Sequence, residues 1–258
     1  MASYGPYYES YGSGFPGQRS ASPGWDYGAL KNFRKISPQV QNHLKRVYLT
    51  LACAVVAAAV GVYLHLLWNV GGLLTGIASI ALVAWLSSIS PSPYNESKRV
   101  KLLMAAAACQ GASIGPLVDL VISIDPSILG TAFVGTGLAF GCFSGAAILA
   151  RRREFLFIGG LLASGLSILL WLNFASAIFG GSTAVFMFEV YFGLLVFLGY
   201  IVFDTQMIIE RADRGDYDYV KHSLELFTDL AAVFVRVVAI MARNSAAKSE
   251  KEKKKRRN

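Results

Sequence analysis

Apolar residues in this chain fall into blocks of about 20, with the polar residues collected between the blocks. A helix of about 20 apolar residues crosses roughly 30 Å of hydrocarbon. A soluble helix would instead interleave polar positions at helical spacing. The pattern predicts seven helical segments, at 47–67, 70–89, 102–123, 128–150, 155–178, 185–210 and 222–243. Short connections make neighbouring helices antiparallel. The expected fold is an all-α membrane protein with about seven transmembrane helices.

Three parts of the chain follow. Residues 1–37 read as a disordered polar arm, rich in Tyr, Gly, Ser and Pro and poor in aliphatic residues. They hold no short apolar core with a cleavage site, so the first spanning helix is expected to target the chain to the membrane. The bundle occupies 38–243, and a basic tail 244–258. Ser37 to Arg46 should form a short amphipathic lead-in helix, with Ser37 as N-cap and Pro38 at the first helical position. In the fourth segment Gly137, Gly141 and Gly145 recur every four residues, a small-residue stripe expected to let another helix come close.

Composition agrees with this reading. Of 258 residues 54% are hydrophobic and only 16% charged, where soluble domains carry about a quarter; mean hydropathy is +0.48. The net charge of +8 is concentrated. Connections after the second, fourth and sixth segments carry Lys98, Arg99 and Lys101, then Arg151–Arg153, then Arg211, Arg214 and Lys221; those after the first, third and fifth carry no Lys or Arg. The positive-inside bias places the basic loops and the N-terminus in the cytoplasm. Because the basic clusters flank spans, nucleic-acid binding is excluded. Asn95-Glu96-Ser97 matches a glycosylation sequon but lies in a basic loop, so it is expected to stay unmodified. Cys53, Cys109 and Cys142 all lie in apolar blocks, an odd and widely spaced set that reads as packing.

The seventh segment departs from the others by carrying Glu225, Asp229 and Arg236. A full crossing leaves the Lys/Arg-rich tail opposite the basic loops; a re-entrant path keeps it on their side. In either case a helix with these charges belongs inside the bundle. An ionisable group in hydrocarbon costs about 2.5–3.5 kcal/mol on insertion scales, which makes each one a functional candidate. Asp119 and Glu189 lie near span ends and read as vestibule or ion-pathway groups. His65 reads as interfacial. Arg236 either snorkels or pairs with an acid. Asp204 and Asp229 stand at comparable depths on adjacent antiparallel helices, counted at 1.5 Å per residue from the intervening loop. A close carboxyl pair is therefore geometrically open, as is a separate polar role for each. Two carboxyls in contact at low dielectric share one proton near neutrality, so the pair would respond to pH.

Several stretches carry a family resemblance: LKNFRKISPQVQNHLKRVYLTLACA, GASIGPLVDLVISIDPSIL, RRREFLFIGGLL, FASAIFGGS and YFGLLVFLGYIVFDTQMIIERADRGDYDYVKHSLELFTDLAAVFVR. With Gly111-x-x-x-Gly115-Pro116-Leu117 and Asp204-Thr205-Gln206, the chain from about residue 28 onward resembles the Bax inhibitor-1 family, in its plant type. The resemblance implies two three-helix layers around a central, semi-polar C-terminal helix. It implies suppression of programmed cell death in the endoplasmic reticulum membrane, a role in stress, and a pH-sensitive calcium leak. It also implies a di-aspartyl proton sensor at Asp204 and Asp229. Some bacterial relatives carry an arginine latch in the second span; here that span, GGLLTGIASIALVAWLSSIS, has no charged residue.

The leading expectation is a proton-gated cation leak, with calcium in transit rather than held, since calcium takes six or more oxygen ligands. No cofactor and no tight metal site are expected. The alternative is a non-transporting membrane scaffold whose tail, Lys248 to Arg257, binds anionic membrane lipid or an acidic partner such as calmodulin. The chain has no nucleophile motif or phosphate-binding glycine loop, and it is not expected to be an enzyme. An intramembrane aspartyl protease would carry Tyr-Asp and Gly-x-Gly-Asp, whereas Phe203 precedes Asp204 and Thr228 precedes Asp229. A seven-span light receptor would need a lysine in its last segment to hold a chromophore.

Overall fold

A computed structural model describes residues 36–150 and 155–257, with side chains to residue 249. The polar arm and the Arg151–Arg153 cluster lie outside the described residues. Helix α1 spans Pro38–Trp68; the Ser37 hydroxyl accepts from Val40 N at 3.3 Å and Pro38 occupies the first turn. The lead-in is not a separate helix, because no breaker stands between it and the first span. Asn69 ends α1 in the left-handed conformation (φ 53°). His65, in the last turn of α1, is buried: its Nδ1 accepts from Gly71 N at 2.8 Å, and Gly115 packs on the ring without a Cβ between them.

The other helices are α2 (Leu73–Ser88), α3 (Glu96–Ile124), α4 (Ser127–Leu149), α5 (Gly159–Phe179, preceded by a 3-10 turn at Leu156–Ile158), α6 (Thr183–Asp213) and α7 (Tyr219–Arg257). Among the described residues there is no strand. Five helices are long and apolar enough to cross a membrane: α1, α3, α4, α5 with its 3-10 turn, and α6. With 16 residues, α2 reaches only about 24 Å. The 39-residue α7 carries the charges, and its helix continues into the basic tail.

Helices α1 and α2 pack on α3, and α4 and α5 pack on α6, giving two three-helix layers. Between them lies α7, in contact with α1, α3, α4 and α6. Its core partners include Val47, Leu51 and Ala54 of α1 and Ile201 and Ile208 of α6, which surround Leu226 and Val233. From residue 222 to 243 only Thr228 is exposed. The outer helices reverse this: Leu73, Leu74, Leu161 and Trp171 are all at least 70% exposed, as lipid-facing side chains should be.

Close helix approach occurs at α1–α3, not on α4. A Cβ at Gly61 would collide with the Ala108 carbonyl, and one at Gly111 with the Ala58 carbonyl, so the two backbones touch. Gly137, Gly141 and Gly145 have no other atom within 4 Å of a built Cβ. Their stripe faces outward, contrary to the expectation: spacing makes a flat face but does not say what lies opposite. The cysteines are free, with Cys53 and Cys142 exposed and Cys109 half-buried; packing thus accounts for only part of the set.

Candidate functional site

Asp204 lies on α6 and Asp229 on α7, and the structure brings their carboxyls within hydrogen-bonding reach. Asp229 is 4% exposed and Asp204 half-buried. A carboxylate only accepts hydrogen bonds, so a carboxyl–carboxyl bond requires one proton between the groups. The other oxygen of Asp229, Oδ2, is buried and has no partner. The structure thus sets two carboxyls against each other on neighbouring helices, one of them deep in the bundle.

A second pair sits toward the α6–α7 linker. Arg211, seven residues after Asp204, donates through Nη1 to both carboxylate oxygens of Glu225, at 2.9 and 3.0 Å. Glu225 lies one turn before Asp229. Because the helices are antiparallel, Arg211 faces Glu225 as Asp204 faces Asp229. Three carboxyls and one guanidinium thus share the seam, and Glu225 and Arg211 both act electrostatically on Asp204. Sequence alone places Arg211 among the loop charges and gives Glu225 no partner. The i, i+7 spacing on α6 set against i, i+4 on α7 was the available signal.

The two residues after Asp204 anchor it. Thr205 Oγ1 lies 3.1 Å from Ser144 Oγ on α4, and Ser144 in turn bonds the Tyr48 hydroxyl on α1. Gln206 Oε1 accepts from Phe155 N at 2.9 Å, and its Nε2 donates to Ala147 O at 3.4 Å. This ties α6 to the end of α4 and to the turn before α5. Asp204-Thr205-Gln206 therefore joins one carboxyl to two structural clamps.

The remaining sequence candidates are distributed differently. Asp119 is exposed on α3 and makes no hydrogen bond or ion pair among the described residues. Glu189 is half-buried on α6 and accepts from Ser176 Oγ at 3.4 Å. Arg236 forms no ion pair among the described residues. Its Nη1 donates to Ala232 O at 2.9 Å, its guanidinium lies 4.4 Å from the Phe197 ring centroid, and it packs across Gly193. Glu189 acts on it electrostatically. None of these groups acts on the Asp204–Asp229 pair.

A third cluster caps the end of the bundle near the α6–α7 linker. Arg99, expected as a loop charge, is 5% exposed and grips Asp218. His43 Nε2 and His222 Nδ1 are 2.9 Å apart, both rings buried. Buried charge and imidazole here tie α1, α3 and α7 together.

Layered helices around a charged central helix with a carboxyl pair on it define a polytopic α-helical membrane protein. The family described as "Inhibitor of apoptosis-promoting Bax1" matches residues 40–246. The chain is 62% identical to Bax inhibitor 1 of Arabidopsis thaliana, over 93% of this chain and 95% of the relative. It is 60% identical to Bax inhibitor 1 of Oryza sativa subsp. japonica, over 92% and 95%. With Bax inhibitor 1 of Homo sapiens it shares 42%, over 89% and 95%. The chain belongs to the Bax inhibitor 1 family.

Proposed function

We propose that this chain suppresses programmed cell death from the endoplasmic reticulum membrane, with its N-terminus in the cytoplasm, through a pH-sensitive calcium leak. Relatives named Bax inhibitor 1 over nearly the whole chain support the cell-death role. The observation that carries the mechanism is the contact between Asp204 of α6 and Asp229 of α7, the helix that both layers enclose. With one proton the carboxyls bond, and α6 stays closed on α7. Without it two like charges repel at low dielectric, and the seam loosens. Asp119 and Glu189 would draw calcium toward the mouth, and Arg236 would line the path.

The test is calcium efflux from liposomes at a series of pH values. The double variant Asp204→Asn, Asp229→Asn should give a flux that no longer changes with pH. Wild-type pH dependence in that variant removes the pair from the sensor role.

A second reading rests on the continuation of α7 as a helix through Arg257. A basic helical end suits anionic lipid or an acidic partner such as calmodulin, so the chain would act as a non-transporting scaffold. Deleting Lys248 to Arg257 separates the two: loss of cytoprotection with intact flux favours the scaffold.

A further inference from the structure

A cavity of about 310 Å³ runs along the face of α7 opposed to α2 and α3. Its α7 wall extends from Leu224 to Arg236, a length of about 18 Å. Val83 of α2, Ala106 of α3 and Phe197 of α6 make the other apolar walls. The cavity opens sideways. Helix α2 packs on α3 and forms no comparable seam with α7, and Thr228, on the wall, is the one exposed residue in the central stretch of α7.

Of the polar side chains along the wall, Ser79 and Thr228 are already bonded, and the Gln110 amide adds a polar group on α3. Ser79 Oγ donates to Ala106 O at 3.0 Å and Thr228 Oγ1 to Leu224 O at 3.0 Å. Arg236, at one end of the α7 wall, differs. Of the five N–H donors of a guanidinium, only an Nη1 donor has a hydrogen-bond partner, and the buried Nε has none. Glu189 of α6 acts on Arg236 electrostatically but forms no ion pair with it among the described residues, so a cation held by an aromatic face and one carbonyl keeps donors for an anion from outside the chain.

We propose that this groove binds a single-chain amphiphile with a carboxylate headgroup, of the fatty-acid class, drawn from the bilayer. The carboxylate lies on Arg236, and the chain follows α7 toward Val83 and Leu224. At roughly 30 Å³ for each small group, taking water as the measure, about 310 Å³ holds about ten groups, so the groove takes the headgroup and upper part of one chain while the rest stays in the bilayer. The gap between α2 and α7 supplies entry from hydrocarbon. Chain occupancy here is separate from proton exchange at Asp204 and Asp229, which line no part of the groove.

The experiment uses the full chain in lipid nanodiscs and a palmitate carrying a photoreactive diazirine on its chain, with labelled peptides mapped by mass spectrometry. Label should fall on the segments around Val83 and around Phe227 to Ala231. Arg236→Gln should reduce it at least fivefold, and Arg236→Lys should retain most of it. Because Arg236→Gln also disturbs the contact with Phe197, Ala231→Trp provides a second variant, which fills the groove and leaves the guanidinium alone; it should reduce label as strongly. Unlabelled palmitate should compete at least tenfold better than the matched alcohol, and inorganic phosphate should not compete. Label that persists in Arg236→Gln and Ala231→Trp, equal competition by the alcohol, or displacement by phosphate overturns the proposal.

Discussion

Arg99 on α3 and Asp218 in the α6–α7 linker form a bidentate ion pair, Nη1 to Oδ1 at 2.8 Å and Nη2 to Oδ2 at 2.7 Å, with side chains 6% and 9% exposed. A buried pair of this kind leaves an uncompensated charge when one partner is removed, at a cost of about 3–5 kcal/mol. Arg99→Ala and Asp218→Ala are each expected to lower the midpoint of thermal unfolding in detergent by several degrees. The double variant should lose less than the two single losses combined.

The same pair sets an acid limit. Burial by itself raises the Asp218 pKa, but the Arg99 hydrogen bonds and the backbone N–H of Lys221 outweigh it and hold the carboxyl below its ordinary value. A depressed carboxylate stabilises the fold above the unfolded pKa of about 4 and ceases to do so as pH falls through the folded value. Unfolding midpoints between pH 7 and pH 3 should fall below about pH 4 in the wild type. A smaller fall in Asp218→Asn identifies this residue as a source; equal falls would assign the acid limit elsewhere.

His43 and His222 join the start of α1 to the start of α7 through one ring-to-ring hydrogen bond of 2.9 Å. Such a bond needs one donor nitrogen and one acceptor, so at most one ring is cationic while it lasts. His43→Ala is expected to cost about 1–3 kcal/mol by leaving a buried ring nitrogen unpaired. Limited proteolysis should then cut near residue 38 sooner than in the wild type.

Gly61 and Gly141 provide a paired comparison. Gly61→Val forces a side chain into the Ala108 carbonyl and should reduce the yield of monodisperse protein severely. Gly141→Val enters open space and should be nearly neutral. Equal yields from the two would disprove the close α1–α3 contact.

Gln206 bonds both the Phe155 N–H and the Ala147 carbonyl. Gln206→Leu leaves these groups unpaired, at about 1–3 kcal/mol each where they are buried. Faster hydrogen exchange around residue 155, with α1 unchanged, is the expected signature.

The sequence alone determined the membrane class, the helix positions and the presence of costly carboxyls. Those properties are one-dimensional: an apolar block of given length spans, and a carboxyl in it is anomalous wherever it points. Even the central position of α7 was legible, since charges exclude that helix from lipid. Only the tertiary structure decided which faces meet. Lipid is as apolar as the protein interior, so no amphipathic stripe marks the buried side of a transmembrane helix. That is why the Gly137–Gly145 stripe suggested a contact that no other described helix of this chain makes, while Gly61 and Gly111 passed unnoticed. It is also why His65 and Arg99 read as boundary residues yet are buried. For the carboxyl pair, the sequence supplied matching depth on antiparallel helices, and the rotation of α6 against α7 put Asp204 on Asp229 and Arg211 on Glu225.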